Sequence, residues 1–450
     1  MIVWLLLLGI FGLFAQPLAA NTHSPYDSTY TIPANPPRLI SNINLYTGAG
    51  IKVENTSVLV SQGRIAAIGV DIVPPDGERI DGKGRWLTPG IIDVHSHMGD
   101  YPAPSIASLR DGNEATSPNT ARVWAEHSVW PQDPQFALAL AGGITSLQVL
   151  PGSANLFGGR GVTLKNVPSR TVQGMKFPGA RHGLKMACGE NPKRVYGGRG
   201  KAPSTRMGNV AGYRAAWAKA VEYRRKLQAH QADESKPPPD RDLTMETLVG
   251  VLDGEIIVHN HCYRADEMAN MIDVAREFGY RIGTFHHAVE SYKFADRLAE
   301  AGICSAMWAD WWGSKLELFD GVQQNVALVH QAGACAIVHS DSAYGIQRLN
   351  QEAAKALAAG QRMGLALTRA TAIQWITLNA ARSLGIDAET GSIETGKAAD
   401  LVVWNRDPLS VYAKADLVFI DGHLYFDRHD PALNPVSDFA LGTSVETGSE

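Results

Sequence analysis

The chain reads as an α/β protein: a (β/α)8 TIM barrel at residues 89–385, joined to a small β-sandwich domain built from both termini at 21–88 and 386–430. Three patterns predict this. Eight short apolar runs, at 91–97, 144–150, 161–165, 183–187, 255–261, 281–286, 303–307 and 335–339, alternate with stretches of helical periodicity, as strands and crossover helices do. Pairs of short strands bounded by turns stand near each end of the chain, too few in either place to bury a core alone. Histidines and aspartates gather where the central runs end, and the C-terminal ends of barrel strands are where such folds carry their chemistry.

Taken in order, residues 2–14 are almost continuously apolar and are followed by Ala15-Gln16-Pro17-Leu18-Ala19-Ala20. This predicts a signal peptide at 1–20 cut after Ala20, with the mature protein periplasmic or secreted and free of the membrane. From 39 to 81 come Ser57-Val58-Leu59-Val60, a turn at Gly63, and Ile65-Ala66-Ala67-Ile68. Their partners are expected at 399–404 and 417–422, so the barrel is inserted between two halves of one β-domain. Helices are expected at 264–278, 291–301 and 318–332, and a further one at 211–227 inside a long insertion after Cys188 that also holds Pro237-Pro238-Pro239. Residues 431–450 are left as a tail.

Composition narrows the partners. With 45% hydrophobic and 19% charged residues over 450 positions, the chain can bury a large core. A net charge of -4 provides no global basic field for nucleic acid, which leaves a small molecule as the expected partner and homo-oligomerisation open. The four cysteines, Cys188, Cys262, Cys304 and Cys335, have no close-spaced framework and read as buried thiols.

Strand geometry makes a metal site the expectation at the run ends. In Asp93-Val94-His95-Ser96-His97 the two imidazoles fall on one face of a strand, about 7 Å apart, within reach of one ion. Fourteen histidines in 450 residues supply about 0.4 such pairs by chance, so the pair alone decides little. Its company does more: His259-Asn260-His261, His286-His287 and His339-Ser340-Asp341 close three further runs.

Pro89-Gly90-Ile91-Ile92-Asp93-Val94-His95-Ser96-His97 resembles the first-strand signature of the metal-dependent amidohydrolase superfamily, and 391–402 resembles its C-terminal signature. Within that superfamily the chain is most similar to the imidazolonepropionase-like group, which includes prolidase-like dipeptidases. The resemblance implies one or two divalent ions, zinc by expectation, at the barrel mouth. His95, His97 and Asp341 would hold the more buried ion. Lys185 stands where prolidase-like relatives carry a carboxylated, metal-bridging lysine, with Glu190 as the competing ligand; an ammonium cannot itself bind a cation. One of His259 and His261 would bind a second ion. Both face one way, and the resemblance leans to His259. In strand six, alternation lets only one of His286 and His287 look inward, and the resemblance favours His287. His339 is left to orient Asp341 or line the barrel.

The implied reaction is hydrolysis of an amide-like carbon–nitrogen bond in a small molecule or dipeptide by metal-activated hydroxide, with Asp341 as general base and then general acid. Arg194, Arg199 and Arg206, in the basic segment after strand four, are candidates to pair with a substrate carboxylate. Trp308, Trp311 and Trp312 could supply an apolar wall, and Tyr101 and Arg160 could approach the site. Two other readings remain: a mononuclear deaminase or imidazolone hydrolase with an unmodified Lys185, and a catalytically silent barrel acting as a binding protein.

Overall fold

The computed structural model describes residues 26–73, 76–311 and 313–434, so the expected leader at 1–20, Trp312 and residues 435–450 of the tail lie outside it. Strands from both ends of the chain meet in one sheet. β1 (Arg38–Tyr46), β2 (Lys52–Ser61), β3 (Arg64–Gly69), β4 (Glu78–Asp81) and β5 (Trp86–Pro89) form its N-terminal part. One edge of β1 pairs antiparallel with β2; the other pairs parallel with β4 at 38–41 and with β5 at 44–45.

The central strands follow as β6 (Ile91–Ser96), β7 (Ile144–Val149), β8 (Phe157–Lys165), β9 (Gly183–Ala187), β10 (Ile257–Cys262), β11 (Ile282–His287), β12 (Cys304–Met307) and β13 (Cys335–Val338). They form a nearly closed eight-stranded sheet in chain order. It departs from a regular (β/α)8 barrel at one strand, because β8 runs antiparallel to both β7 and β9. The cause is the link: only residues 150–156 separate β7 from β8, with no helix among them, and a parallel return needs a crossover of about a dozen residues or more.

Helices cover the barrel: α1 (Gln135–Ala141), α2 (Glu190–Gly197), α3 (Arg206–Ala232), α4 (Leu243–Leu252), α5 (Ala265–Phe278), α6 (Ala295–Ala301), α7 (Asn325–Gln331), α8 (Leu349–Arg362), α9 (Arg369–Trp375) and α10 (Leu378–Leu384). α3 outruns the stretch expected at 211–227 because Thr205 caps it early, its hydroxyl accepting from the Gly208 amide at 3.0 Å. α6 and α7 start later than expected, α6 directly behind a 3-10 turn at 291–293 and α7 behind one at 316–318 and a loop. In α5, Met268, Met271, Ile272 and Ala275 keep the three- and four-residue spacing of a buried stripe, and Gly279 at φ 74° stops the helix. Among the described residues no helix is long and apolar enough to cross a membrane.

After the barrel, β14 (Leu401–Trp404), β15 (Ala415–Ile420) and β16 (His423–Asp427) return to the first sheet. β14 pairs antiparallel with β5, Leu401 opposite Pro89, so a continuous ladder bridges the two termini. The result is one connected eight-stranded sheet where the sequence leads one to expect two packed sheets. Ile40, Ile43, Leu87, Leu401, Val403 and Phe419 form its shared apolar cluster.

The cysteines correct the reading as thiols. Cys188–Cys262 and Cys304–Cys335 are disulfides. Parallel register makes both possible: Ala187 lies opposite His261, so the next residues on each chain meet with Cα atoms 5.2 Å apart, and Cys304 is the direct register partner of Cys335 at 4.5 Å. Sequence spacing carries no trace of either contact.

Candidate metal centre

The first and last barrel strands are joined by side chains where no ladder closes them. Buried Asp93 accepts the His95 amide at 3.1 Å and the Ser340 amide at 3.2 Å through Oδ1, and the Ser340 hydroxyl through Oδ2. The Asp341 amide donates to the His95 carbonyl at 3.0 Å. Burial pushes the Asp93 carboxyl up to about 7, against the pull of its serine and amide donors. This staple brings Asp341 over His95 and His97.

His97 Nε2 lies 3.1 Å and His95 Nε2 3.5 Å from Asp341 Oδ1, and His287 Nε2 lies 3.9 Å from Oδ2. His97 Nδ1 donates to the Leu150 carbonyl at 2.7 Å, which leaves its Nε2 lone pair for a ligand. One ligand atom from each of His95, His97 and Asp341 falls within 4.8 Å of the others, as a single ion requires; His95, His287 and His339 form a second such group. Burial alone would raise the Asp341 carboxyl, but the His97 hydrogen bond and the neighbouring charges hold it below its ordinary value.

Lys185 on β9 enters the same cluster, with Nζ 3.1 Å from His95 Nε2. It is fully buried, and desolvation lowers its pKa to about 8. Glu190 is placed differently. It opens α2, its amide donating to Glu317 at 3.1 Å, and among the described residues it belongs to neither group able to hold an ion.

The histidines of β10 separate by depth. His259 lies inside the barrel with both nitrogens engaged, Nδ1 with His286 Nε2 at 2.9 Å and Nε2 with the Gln148 amide at 3.3 Å. His261, one step nearer the mouth, packs edge-on to Tyr263 and His287, and its Nδ1 is buried without a hydrogen-bond partner. On β11, strand alternation fails. The chain turns left-handed at His287, φ 68°, and both imidazoles reach His95, with ring centroids 4.7 Å away for His286 and 4.8 Å for His287. Asp341 is left-handed as well, at φ 50°. His287 stacks on Trp308 at 4.3 Å, and its Nδ1 is also an orphan. The His287 amide donates to His339 Nε2 at 3.3 Å, so that nitrogen of His339 is occupied. Desolvation depresses the pKa of all these buried imidazoles, to about 3 for His259 and His339.

Of the arginines proposed for substrate, Arg206 is taken up by Glu267 at 3.1 Å and by Glu317. Arg199 donates to the Ala115 carbonyl at 2.6 Å on the surface. Arg194 is exposed on α2, near enough to Lys315 to act on its charge. Arg160 lies over Trp124 and bonds Thr247, away from the cluster, whereas the Tyr101 ring sits 5.7 Å from that of His97. The cation beside the site is Lys315, which sequence reasoning missed: Nζ donates to Tyr263 at 3.0 Å and to Asn191 Oδ1 at 3.1 Å. It sits in a loop with no periodic pattern to mark it.

Orphaned imidazole nitrogens, an ionised carboxylate and a lysine with no carboxylate within bonding distance among the described residues make a donor set that fits a divalent cation. Comparison with known proteins agrees. The amidohydrolase family pattern matches residues 86–425. The chain is 34% identical over 404 residues to the amidohydrolase tasK of Hapsidospora irregularis, covering 84% of this chain but only 40% of tasK. It is 24% identical to the imidazolonepropionase of Rhizobium rhizogenes, over 82% of this chain and 91% of that one. Among solved structures, an amidohydrolase from Thermotoga maritima superposes with a TM-score of 0.81 at 36% identity, covering 87% of this chain and all of that one. A zinc-bound adenosine deaminase from Xanthomonas campestris, at 18% identity and TM-score 0.51, shares the fold alone over 87% of this chain and 93% of its own.

Proposed function

The chain belongs to the amidohydrolase family of hydrolases acting on carbon–nitrogen bonds, and from that premise we propose that it is an exported, metal-dependent enzyme that cleaves an amide-like bond in a small anionic molecule or dipeptide. The observation that carries this reading is the convergence of His95, His97 and Asp341 beside the buried Lys185. His95, His97 and Asp341 would hold one ion, and His261 and His287, with their orphaned nitrogens, would hold a second. A divalent cation supplies Lewis acidity, which brings the pKa of a water toward neutrality and polarises a carbonyl.

The residues do the rest. Asp341 accepts the water's proton and returns it to the leaving nitrogen, a role that suits a carboxylate held ionised at neutral pH. Burial lowers the Lys185 amine to about 8, so roughly a tenth of it is neutral near pH 7, far more than of an exposed lysine, which supports carboxylation of Lys185 to an anionic ligand. Lys315 and Tyr263 would hold the anionic end of the substrate, and Trp308 would wall the pocket over His287. Two disulfides support the export reading, since such bonds persist in oxidising compartments.

Likeness to imidazolonepropionase favours a second reading, a single-ion hydrolase of a cyclic substrate with unmodified Lys185. Metal analysis of the purified protein, with a hydrolysis screen over dipeptides, N-acyl amino acids, lactams and imidazolones, separates the two. Two ions per chain and chelator-sensitive cleavage are expected. One ion transfers the case to the second reading, and cleavage that survives complete metal removal refutes both.

A further inference from the structure

Behind the metal centre lies an unbroken line of buried nitrogens. His95 Nδ1 is 2.9 Å from His286 Nδ1, His286 Nε2 is 2.9 Å from His259 Nδ1, and His259 Nε2 is 3.3 Å from the side-chain amide of Gln148 on β7. All four residues are fully buried, and burial holds the three imidazoles neutral. A neutral imidazole carries one N–H, and every nitrogen–nitrogen contact needs one donor and one acceptor. The protons must therefore all point the same way along the line, and only two arrangements exist.

In one, the Gln148 amide nitrogen donates to His259, His259 to His286, and His286 to His95. The remaining hydrogen of His95 is then on Nε2, which faces Asp341 and Lys185, and no lone pair is left for a cation there. In the other, His95 Nδ1 donates to His286, His286 to His259, and His259 Nε2 to an acceptor. Now His95 Nε2 is bare. At the end of the line stands the Gln148 oxygen, Oε1, which a half-turn of the amide brings to His259; Oε1 is otherwise buried with no hydrogen-bond partner among the described residues.

We propose that Gln148, acting through His259 and His286, sets the tautomer of His95 and thereby decides whether the centre can take up a cation. Gln148 is then a positioning residue that never touches ion or substrate. His259 is the relay, not a ligand, and the surplus of histidines over ligand positions has a reason. The inference rests on the metal reading above.

The test compares wild type with Gln148→Met, which keeps length and removes the acceptor, and with Gln148→Glu, which presents only acceptors. Zinc affinity is measured by chelator competition, with thermal melting as the control for folding. Orienting partners of ligand histidines are worth about 10–100-fold in affinity. Q148M is expected to lose about that much, and Q148E to restore wild-type binding. Wild type that binds no zinc removes the metal reading itself. Folded Q148M with wild-type affinity, or Q148E as weak as Q148M, overturns the relay alone. Should either variant fail to fold, nitrogen NMR of wild type labelled at histidine decides: the zinc form must show His259 protonated at Nε2 and bare at Nδ1, and the reverse pattern overturns the proposal.

Discussion

Replacing the two cysteine pairs by alanine, one pair at a time, separates what each disulfide does. Cys304–Cys335 closes 31 residues and Cys188–Cys262 closes 74. Constraint of the unfolded chain over such spans is worth about 3.7 kcal/mol for the shorter and about 4.4 kcal/mol for the longer at 25 °C. Position adds a second difference. Cys304 and Cys335 open β12 and β13, at the ends away from the metal centre, whereas Cys262 follows His261 and Cys188 stands three residues after Lys185. The shorter link should therefore cost stability and leave metal content unchanged, while the longer should cost slightly more stability and also loosen bound metal. Urea unfolding with metal analysis on each variant gives both quantities. Four free thiols in the denatured, unreduced wild type would refute the premise. A loss under about 1 kcal/mol from both pairs would refute the energetics, and equal metal loss from both would refute the positional argument.

Asp341→Asn keeps the size of the side chain but cannot carry the proton, so turnover should fall at least about a hundredfold; a variant within fivefold of wild type would remove Asp341 from catalysis. Lys315→Met should raise KM for an anionic substrate about tenfold or more with a much smaller change in kcat, the worth of one charged hydrogen bond; an unchanged KM would place the substrate's charge elsewhere. For the metal-free protein, His259 and His339 have folded pKa values of about 3, below the unfolded value, so the unfolded chain takes up protons first. Stability is then full above the ordinary histidine pKa and falls as pH drops from about 6.5 toward 3, by about 1.4 kcal/mol for each of the two between pH 7.5 and 5.5. Urea midpoints that coincide at those two pH values would contradict it.

Strand periodicity made the centre legible because it fixes which residues share a face. His95 and His97 fall together for that reason, and seven of the eight barrel strands lie within a residue or two of the runs that announce them. Periodicity says nothing of depth or of departures from the strand. His259 and His261 share a face but stand one layer apart, and only the packing of His286 against His259 shows which lies deeper. His286 and His287 were bound to be misread by alternation, since the chain turns left-handed at His287, a conformation that histidine in a strand-like run does not announce. The inverted β8 was readable in principle from its short link to β7. Lys315 was not, because nothing in a loop's sequence states which wall it lines. The disulfides required the register of β9 on β10 and of β12 on β13, which is tertiary information.

The reversed third strand also bears on the order in which the barrel can assemble. Bringing β7 and β8 together closes only residues 150–156, whereas β9 and β10 must meet across 188–256, an entropic difference of about 2 kcal/mol in loop closure. The hairpin is thus the cheapest contact in the wall, and its turn carries the Leu150 carbonyl that holds His97 in place. One arm of the candidate site is accordingly fixed by a local contact, before any long-range crossover has been closed.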